Sequence, residues 1–227
     1  MRDSAPSMNA PRPDPLGAGL PAISAPILRV QTGTHHDPFE VLGAHPAPDG
    51  GTVLRAFLPA AEHVECAGVP MVRVAGTDCF ELNLPKGQAI DPHPVLRWQD
   101  KGAGAWHTMQ SPYSFAPQLG EMDLYLLGEG RHFEAWKVLG ARLKTVDGVT
   151  GCLFAVWAPA VQRVSVIGDF NAWDGRRHPM RCRGTSGIWE LFIPGLSVGE
   201  AYKYEILGSH GQLVKNAPSP RRRLPCR

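Results

Sequence analysis

The residues most suited to chemistry lie in one loop, at positions 167–183, where aromatic side chains alternate with acidic, amide and basic ones. An apolar stretch, Val164 to Ile167, ends at Gly168, and Trp173 follows within the loop. A pyranose ring has apolar C–H faces that pack on an aromatic ring, and hydroxyls that donate and accept hydrogen bonds. The polar candidates for those hydroxyls are Asp169, Asn171 and Asp174. The loop therefore predicts a sugar-binding surface with Trp173 as its stacking residue.

The same pattern has a plainer interpretation. Phe170 and Trp173 are also typical of a turn whose aromatic residues belong to the core and whose charged residues are solvated. The two interpretations differ in one observable property. A sugar-binding surface requires that the indole of Trp173 is partly exposed, whereas a core turn buries it.

The rest of the chain predicts a scaffold of short strands separated by clusters of Gly, Pro and Asp. The strands fall into two groups. The first group comprises residues 52–58, 69–74, 80–84, 95–99 and 106–110, and the second comprises 152–157, 163–167, 189–193 and 202–207. Short strands at this spacing are typical of immunoglobulin-like β-sandwiches. In the last strand, alternation predicts that Tyr202 and Tyr204 face the core and that Lys203 and Glu205 face outward.

The two groups are copies of one another. Val41-Leu42-Gly43-Ala44 recurs as Val138-Leu139-Gly140-Ala141, and Gly68 recurs as Gly168. Further on, residues 80–85 correspond to 189–194. The second copy is longer between these two points, and its additional residues fall in the aromatic loop. The copies therefore share a scaffold, and only the second carries the candidate site.

We predict an all-β protein of two tandem immunoglobulin-like β-sandwiches, joined by a short, partly helical connector and flanked by disordered N- and C-terminal tails. The predicted boundaries are 1–26 for the N-terminal tail, 27–118 for the first sandwich, 119–135 for the connector, 136–215 for the second sandwich and 216–227 for the C-terminal tail. Residues 132–139 predict a short helix that ends at Gly140. Asp37 before Pro38 predicts a single helical turn.

Composition and charge argue against several classes of function. Of the 227 residues, 43% are apolar and 19% are charged, which is ordinary for a globular protein. A formal net charge of +2 supports neither nucleic acid nor an acidic membrane as a partner. The five cysteines form no Cys-x-x-Cys pair, and no histidine pair has metal-ligand spacing, so we expect no metal and no cofactor. An odd cysteine number without a signal-peptide pattern predicts reduced thiols in the cytoplasm.

A family resemblance rests on the loop. Gly-Asp-Phe-Asn-x-Trp-Asp-Gly at 168–175, followed by Arg-Arg-His-Pro-Met-Arg at 176–181, resembles the glycogen-binding module of carbohydrate-binding module family 48. Such a module precedes the catalytic barrel in bacterial 1,4-alpha-glucan (glycogen) branching enzymes of glycoside hydrolase family 13. The resemblance covers most of residues 35–215, and residues 35–45 resemble the start of the enzymes' amino-terminal domain. It implies the glucan-binding N-terminal portion of an enzyme of glycogen biosynthesis.

The resemblance also implies roles for individual residues. Trp173 is expected to stack on a glucose ring, while Asn171 and Lys203 hydrogen-bond its hydroxyls. With Asp169 these form the predicted carbohydrate-binding set, and the predicted partner is an α-1,4/1,6-glucan such as glycogen. A solvated surface lysine is the alternative interpretation of Lys203. Some relatives have a second stacking aromatic residue after the strand that holds Lys203. This chain has Leu213 there, so we expect weak binding by a single site.

No catalytic residue is predicted. Branching in this family takes a nucleophilic Asp and an acid/base Glu on a (β/α)₈ barrel, which needs about 250 residues. The sequence shows no βαβ alternation, so the chain is expected to be inactive by itself, with the missing catalytic domain C-terminal to it. The Pro/Arg-rich residues 216–227 depart from the family pattern, which indicates a truncated or frame-disrupted enzyme.

Two other functions remain open from the sequence. One is a stand-alone β-sandwich module for protein interaction. The other is the front end of a glycogen debranching enzyme, a class that carries similar modules. A measurement of glycogen binding distinguishes the protein-interaction module from the glucan-binding portion of a branching enzyme.

Overall fold

The computed structural model describes residues 23–102 and 104–215, together with the backbone of residues 222–223. Within these residues sixteen strands form four antiparallel sheets, and α-helix is confined to two short segments. This confirms the prediction of an all-β fold. Residues 1–22 of the predicted N-terminal tail, and all but 222–223 of the predicted C-terminal tail, lie outside the described residues.

The first sandwich contains eight strands in two sheets. They are β1 (Gly43–Pro46), β2 (Thr52–Phe57), β3 (Ala61–Cys66), β4 (Val69–Pro70), β5 (Val72–Arg73), β6 (Cys79–Leu84), β7 (Val95–Asp100) and β8 (Trp106–Gln110). One sheet has the order β1-β2-β6-β5 and the other β4-β3-β7-β8. Leu54, Phe80 and Leu96 lie in the core between them, because alternate residues of each strand face inward.

The second sandwich repeats this arrangement. Its strands are β9 (Gly140–Val146), β10 (Val149–Trp157), β11 (Val161–Gly168), β12 (Arg181–Cys182), β13 (Ile188–Pro194), β14 (Ala201–Gly208), β15 (Leu213–Lys215) and β16 (Arg222–Arg223). One sheet has the order β12-β13-β10-β9 and the other β11-β14-β15, with β16 also paired to β14. Phe154, Val164 and Leu191 form the centre of the core.

The helical segments differ from the prediction. The first helix, α1, spans Ala25–Gln31, and the second, α2, spans Glu121–Gly128. The predicted helix at 132–139 is wrong, because that stretch holds only the 3₁₀ turn Ala135–Lys137. Leu124 of α2 is buried in a cluster on the outer face of the β10–β13 sheet, so packing on that sheet accounts for where the connector becomes helical. Neither helix is long and apolar enough to cross a membrane, as far as the described residues go.

The single helical turn predicted at Pro38 is confirmed. Residues Pro38–Glu40 form a 3₁₀ turn, and the Asp37 Oδ1 atom accepts a hydrogen bond from the backbone N–H of Phe39 at 2.9 Å. Carboxylate capping of this kind satisfies an N–H group that has no partner within the turn. The turn leads directly into β1 at Gly43.

The two sandwiches meet at the segment that follows β11. The Arg177 guanidinium donates a hydrogen bond to the carbonyl oxygen of Pro59 at 3.0 Å, across the junction. The Tyr113 hydroxyl lies 3.4 Å from the carbonyl oxygens of Arg177 and Pro179. The Arg181 guanidinium lies over the ring of Phe39 at 3.2 Å from its centre. The loop singled out by the sequence therefore also takes part in the contact between the two sandwiches.

Candidate functional site

The loop starts with an unusual backbone conformation. A 3₁₀ turn at Asp169–Asn171 ends at Ala172, whose φ is 55°, and Trp173 follows with a φ of 60°. Two consecutive non-glycine residues in the left-handed region cost about 1 to 2 kcal/mol each, so the surrounding contacts must hold them there. One such contact is the hydrogen bond from the Trp173 backbone N–H to the carbonyl oxygen of Gly168, at 3.0 Å. The turn therefore fixes the position of the Trp173 backbone, from which the indole projects.

The indole of Trp173 is also oriented through its side chain. Its Nε1 atom donates a hydrogen bond to the Asp169 Oδ1 atom at 2.8 Å. Asp169 is exposed and Trp173 is partly exposed, so both side chains reach the surface of the molecule. The structure therefore brings together two of the four predicted site residues, with the ring orientation set by the carboxylate.

Lys203 lies at the end of the β11–β14 pair from which the loop starts. In the strand register Lys203 is opposite Ile167, and Tyr202 is opposite Gly168, where the loop begins. Tyr202 and Tyr204 are buried in the core, as the alternation predicted. Lys203 therefore points to the outer face of the sheet, where it is partly exposed.

The loop folds over this outer face. A Cβ atom at Gly175 would overlap a carboxylate oxygen of Glu205, so the loop backbone lies directly on that side chain. Glu205 was expected to point outward, and it does so, yet it is buried beneath the loop. It forms an ion pair with Arg163 at 2.7 Å, and a Cβ at Gly33 of the first sandwich would overlap that guanidinium. Lys203 lies on this same outer face, opposite Ile167 at the end of the sheet where the loop begins.

Asn171 does not occupy the place expected for it. Its side chain is 2% exposed, its Oδ1 atom accepts the backbone N–H of Gly168 at 2.9 Å, and its Nδ2 atom donates to the carbonyl oxygen of Val166 at 2.8 Å and to the His178 Nδ1 atom at 2.9 Å. These hydrogen bonds engage both the oxygen and the nitrogen of the amide with groups of the protein itself. The expectation that Asn171 contacts a glucose hydroxyl therefore does not fit this placement, and Asn171 acts as a positioning residue for the turn.

Asp174 is engaged with its neighbour Arg176. The Arg176 Nε and Nη2 atoms donate to its carboxylate at 3.0 and 2.7 Å. Burial works to raise the pKa of Asp174, but the hydrogen bonds from Arg176 outweigh it and hold the pKa below its ordinary value. The carboxylate is ionised and paired, and it anchors the second half of the loop.

His178 is a buried histidine of the loop whose pKa lies far below its ordinary value. It is 3% exposed, and burial, with a smaller contribution from the charge of Arg177, lowers the pKa of His178 to about 3. The imidazole is therefore neutral. Because the Asn171 amide donates to Nδ1, the proton of the ring lies on Nε2.

The burial of His178 predicts a pH dependence of stability. The unfolded chain binds this proton near pH 6.5, whereas the native protein binds it only near pH 3, so acidification favours unfolding across this window. Between pH 7 and pH 5 the wild type is expected to lose about 2 kcal/mol of unfolding free energy more than His178→Gln does. Urea unfolding of both proteins at the two pH values measures this difference. Equal pH dependence of the two proteins would contradict it.

Sequence reasoning missed the second use of this loop. Phe170, Arg177 and His178 face the first sandwich rather than a ligand on the outer surface. The only signal in the sequence was that the additional residues occur in the second copy alone.

Known families match both halves of the chain. Residues 24–113 match the model described as alpha-1,4-glucan branching enzyme GlgB, N-terminal domain, and residues 138–220 match Carbohydrate-binding module 48 (Isoamylase N-terminal domain). A 1,4-alpha-glucan branching enzyme of Thiobacillus denitrificans is 76% identical over 193 residues, which cover 85% of this chain and 26% of the relative. One of Methylococcus capsulatus is 49% identical over 203 residues, which cover 88% of this chain and 27% of the relative.

The order of the two matches is also informative. The branching-enzyme domain comes first and the carbohydrate-binding module second, and the two ranges cover the first and second sandwich. The chain spans about a quarter of the length of the curated relatives it matches. It therefore corresponds to the N-terminal region of the 1,4-alpha-glucan branching enzyme family, an N-terminal domain followed by a carbohydrate-binding module of family 48.

Proposed function

We propose that the second sandwich binds α-1,4-linked glucan through a surface formed by Trp173, Asp169 and Lys203. The observation that carries the proposal is the strained turn at Ala172 and Trp173, which holds a partly exposed indole against a carboxylate at 2.8 Å. Strain maintained by surrounding contacts is characteristic of functional sites. The indole face stacks on the apolar side of a glucose ring, while the carboxylate accepts from its hydroxyls and the ammonium donates to them.

The similarity to branching enzymes supports the same ligand. We infer that the parent protein acts on glycogen in the cytoplasm, and that the module keeps a catalytic region, located in the remaining three quarters of such an enzyme, close to its polymer. A single small site binds weakly, but glycogen presents many chain ends, so simultaneous binding raises the apparent affinity. The match of residues 24–113 to a branching-enzyme domain favours a branching parent over a debranching one.

Affinity electrophoresis in gels with and without glycogen tests the proposal. Glycogen is expected to retard the wild-type chain. Trp173→Ala is expected to bind glycogen about tenfold more weakly, because it loses the stacking surface. Trp157→Ala is a matched control, since Trp157 is 58% exposed at the end of β10 and lies outside the loop. Equal mobility of wild type and Trp173→Ala in both gels would refute sugar binding at this surface.

Lys203 provides a graded test of the same surface. Lys203→Ala is expected to weaken glycogen binding by about threefold to tenfold, since it removes one charged hydrogen-bond donor from a partly exposed position. Lys203→Arg keeps a donor and the charge, and is expected to recover part of the affinity. If Lys203→Ala binds as tightly as wild type, the residue is a solvated surface lysine, as the alternative interpretation holds.

A further inference from the structure

A pocket of about 240 Å³ lies between the connector and the outer face of the β10–β13 sheet, at the β9 edge of that sheet. One wall comes from residues 118–138, which include the connector, and the other from β9 and β10. Lys203 belongs to the other sheet of the sandwich, so the pocket is separate from the proposed glucan surface. The charged side chains that line it are three cations and one carboxylate, Lys137, Arg142, Lys144 and Asp123.

The strand register directs two of these cations toward the connector. Arg142 of β9 is opposite Leu153 of β10 and shares its face of the sheet, and Leu153 packs with Leu124 of α2 on the outer side. Lys144 lies two residues further along β9 and therefore on the same face. Its Nζ atom donates a hydrogen bond to the Oε1 atom of Gln118, at 2.8 Å, so the two walls of the pocket meet there.

The guanidinium of Arg142 lacks an acceptor in the part of the chain that the structure describes. Its Nη2 atom is buried without a hydrogen-bond partner. The Nε and Nη1 atoms have no partner there either, but unlike Nη2 they remain accessible. Burial lowers the pKa of Arg142, and the charge of Asp123 opposes this change, while the Asp123 carboxylate itself accepts from the His132 Nε2 atom at 3.0 Å. A partly desolvated guanidinium is nearly always paired in native proteins, so an acceptor is missing beside Arg142.

The two lysines of the pocket have donors to spare. Lys137 pairs with Glu134 at 2.5 Å, but both side chains are more than half exposed, and exposed ion pairs contribute little. Lys144 is bonded to a neutral amide, which uses one of the three N–H groups of its ammonium. Three cations with unused donors and one carboxylate that is already engaged favour an anionic ligand. A planar guanidinium fork with accessible N–H groups matches the oxygens of a phosphate.

We propose that this pocket binds a phosphoryl group, as inorganic phosphate or as the end of a small phosphate ester, with the accessible N–H groups of Arg142 as its principal donors. Lys144 and Lys137 add charge and further donors at the two walls. Sites for drug-sized ligands occupy about 300 to 1,000 Å³, so a pocket of about 240 Å³ suits a phosphoryl group, and the rest of an ester extends into solvent. The competing occupant is water, which satisfies the same donors without any preference for phosphate.

Titration of the ¹⁵N-labelled chain with inorganic phosphate, at constant ionic strength in chloride, separates these occupants. The backbone amide cross-peaks of Leu119 and Val138, which line the pocket, are expected to shift saturably. Arg142→Met keeps an unbranched side chain without the charge, and is expected to bind phosphate at least tenfold more weakly. Arg131→Met is the matched control, because Arg131 is an exposed arginine of the same region that does not line the pocket, and it is expected to bind phosphate as the wild type does.

Two further titrants distinguish the possible sources of the phosphoryl group. Glucose 1-phosphate is expected to shift the same cross-peaks as inorganic phosphate does. Tighter binding of the ester identifies an ester as the ligand, whereas equal binding identifies inorganic phosphate. Maltose has hydroxyls but no phosphoryl group, and is expected to leave these cross-peaks in place.

Stability provides a second measurement. Without phosphate, Arg142→Met is expected to be at least as stable as the wild type, because it removes an unpaired, partly desolvated charge. Saturating phosphate is expected to raise the thermal midpoint of the wild type and of Arg131→Met, but not that of Arg142→Met. Immobile cross-peaks, equal phosphate affinity of the wild type and Arg142→Met, or an equal shift with maltose would each overturn the site. An Arg142→Met protein that is less stable than the wild type without phosphate would overturn it too, since the guanidinium would then have a partner within the protein.

Discussion

Replacing Glu190 with alanine is expected to lower the free energy of unfolding by about 3 to 5 kcal/mol. Glu190 is buried on β13, where its carboxylate accepts the backbone N–H groups of Gln118 at 3.1 Å and Leu119 at 2.9 Å. It also accepts from the Arg183 Nη1 atom at 3.0 Å. The variant leaves two N–H groups and one mostly buried guanidinium without their acceptor. Since the same carboxylate holds the start of the connector, helix α2 is expected to lose protection from hydrogen exchange first.

The control for this prediction uses the same arginine. Glu121 also pairs with Arg183, at 3.0 Å, but its side chain is 88% exposed. Exposed ion pairs contribute little because water screens them, so Glu121→Gln is expected to change the unfolding free energy by less than about 1 kcal/mol. Chemical denaturation of both variants provides the comparison. Similar losses for the two would mean that burial of the carboxylate is not what makes Glu190 important.

Breaking the pair of Arg163 and Glu205 is the second large effect. Both side chains are buried and lie 2.7 Å apart, and burial lowers the pKa of Arg163 while the charge of Glu205 opposes that change. Glu205→Gln leaves a buried guanidinium without its counterion, and is expected to cost about 3 to 5 kcal/mol. Because Gly175 rests directly on the Glu205 carboxylate, the loop that carries Trp173 is expected to shift as well.

Two further variants test the reason for that loss. Replacing both partners with apolar residues, as Arg163→Met with Glu205→Leu, removes the unpaired charge and is expected to restore most of the stability. Glu134→Gln breaks the exposed pair with Lys137 and is expected to have almost no effect. Thermal unfolding of the four proteins, followed by circular dichroism, measures the series. A double variant that is no more stable than Glu205→Gln would contradict the explanation by an unpaired buried charge.

These two ion pairs show how the candidate site is supported. Glu190 joins the connector to one sheet of the second sandwich, and Glu205 joins the other sheet to the loop and, through Arg163, to the first sandwich. The loop therefore has a buried side that belongs to the junction and an outer side that carries Trp173. Variants on the buried side are expected to reduce stability and glucan binding together, whereas Trp173→Ala is expected to reduce binding alone.

Much of the scaffold could be predicted from local pattern. The strands with clear alternation, such as 202–207, were found within about two residues, because side-chain direction alternates with position in any strand. Local pattern does not predict β3, because polar residues interrupt its alternation, or β9, because the glycine at its start is also typical of a helix end. The pattern predicts the connector helix too late in the chain, because the burial of Leu124 on the β10–β13 sheet is a tertiary contact.

The order of residue types along the chain is sufficient to predict the all-β class, the duplication, and the loop that distinguishes the second copy. It also placed Tyr202 and Tyr204 inward and Lys203 outward, because a strand leaves no other choice. The burial of Asn171 as a support for the turn depends on how the loop folds back on the end of β11. The meeting of Trp98 and His178 in one cleft depends on contacts across the junction of the two sandwiches. Neither outcome can be predicted from local sequence pattern, because each requires the tertiary arrangement of the chain.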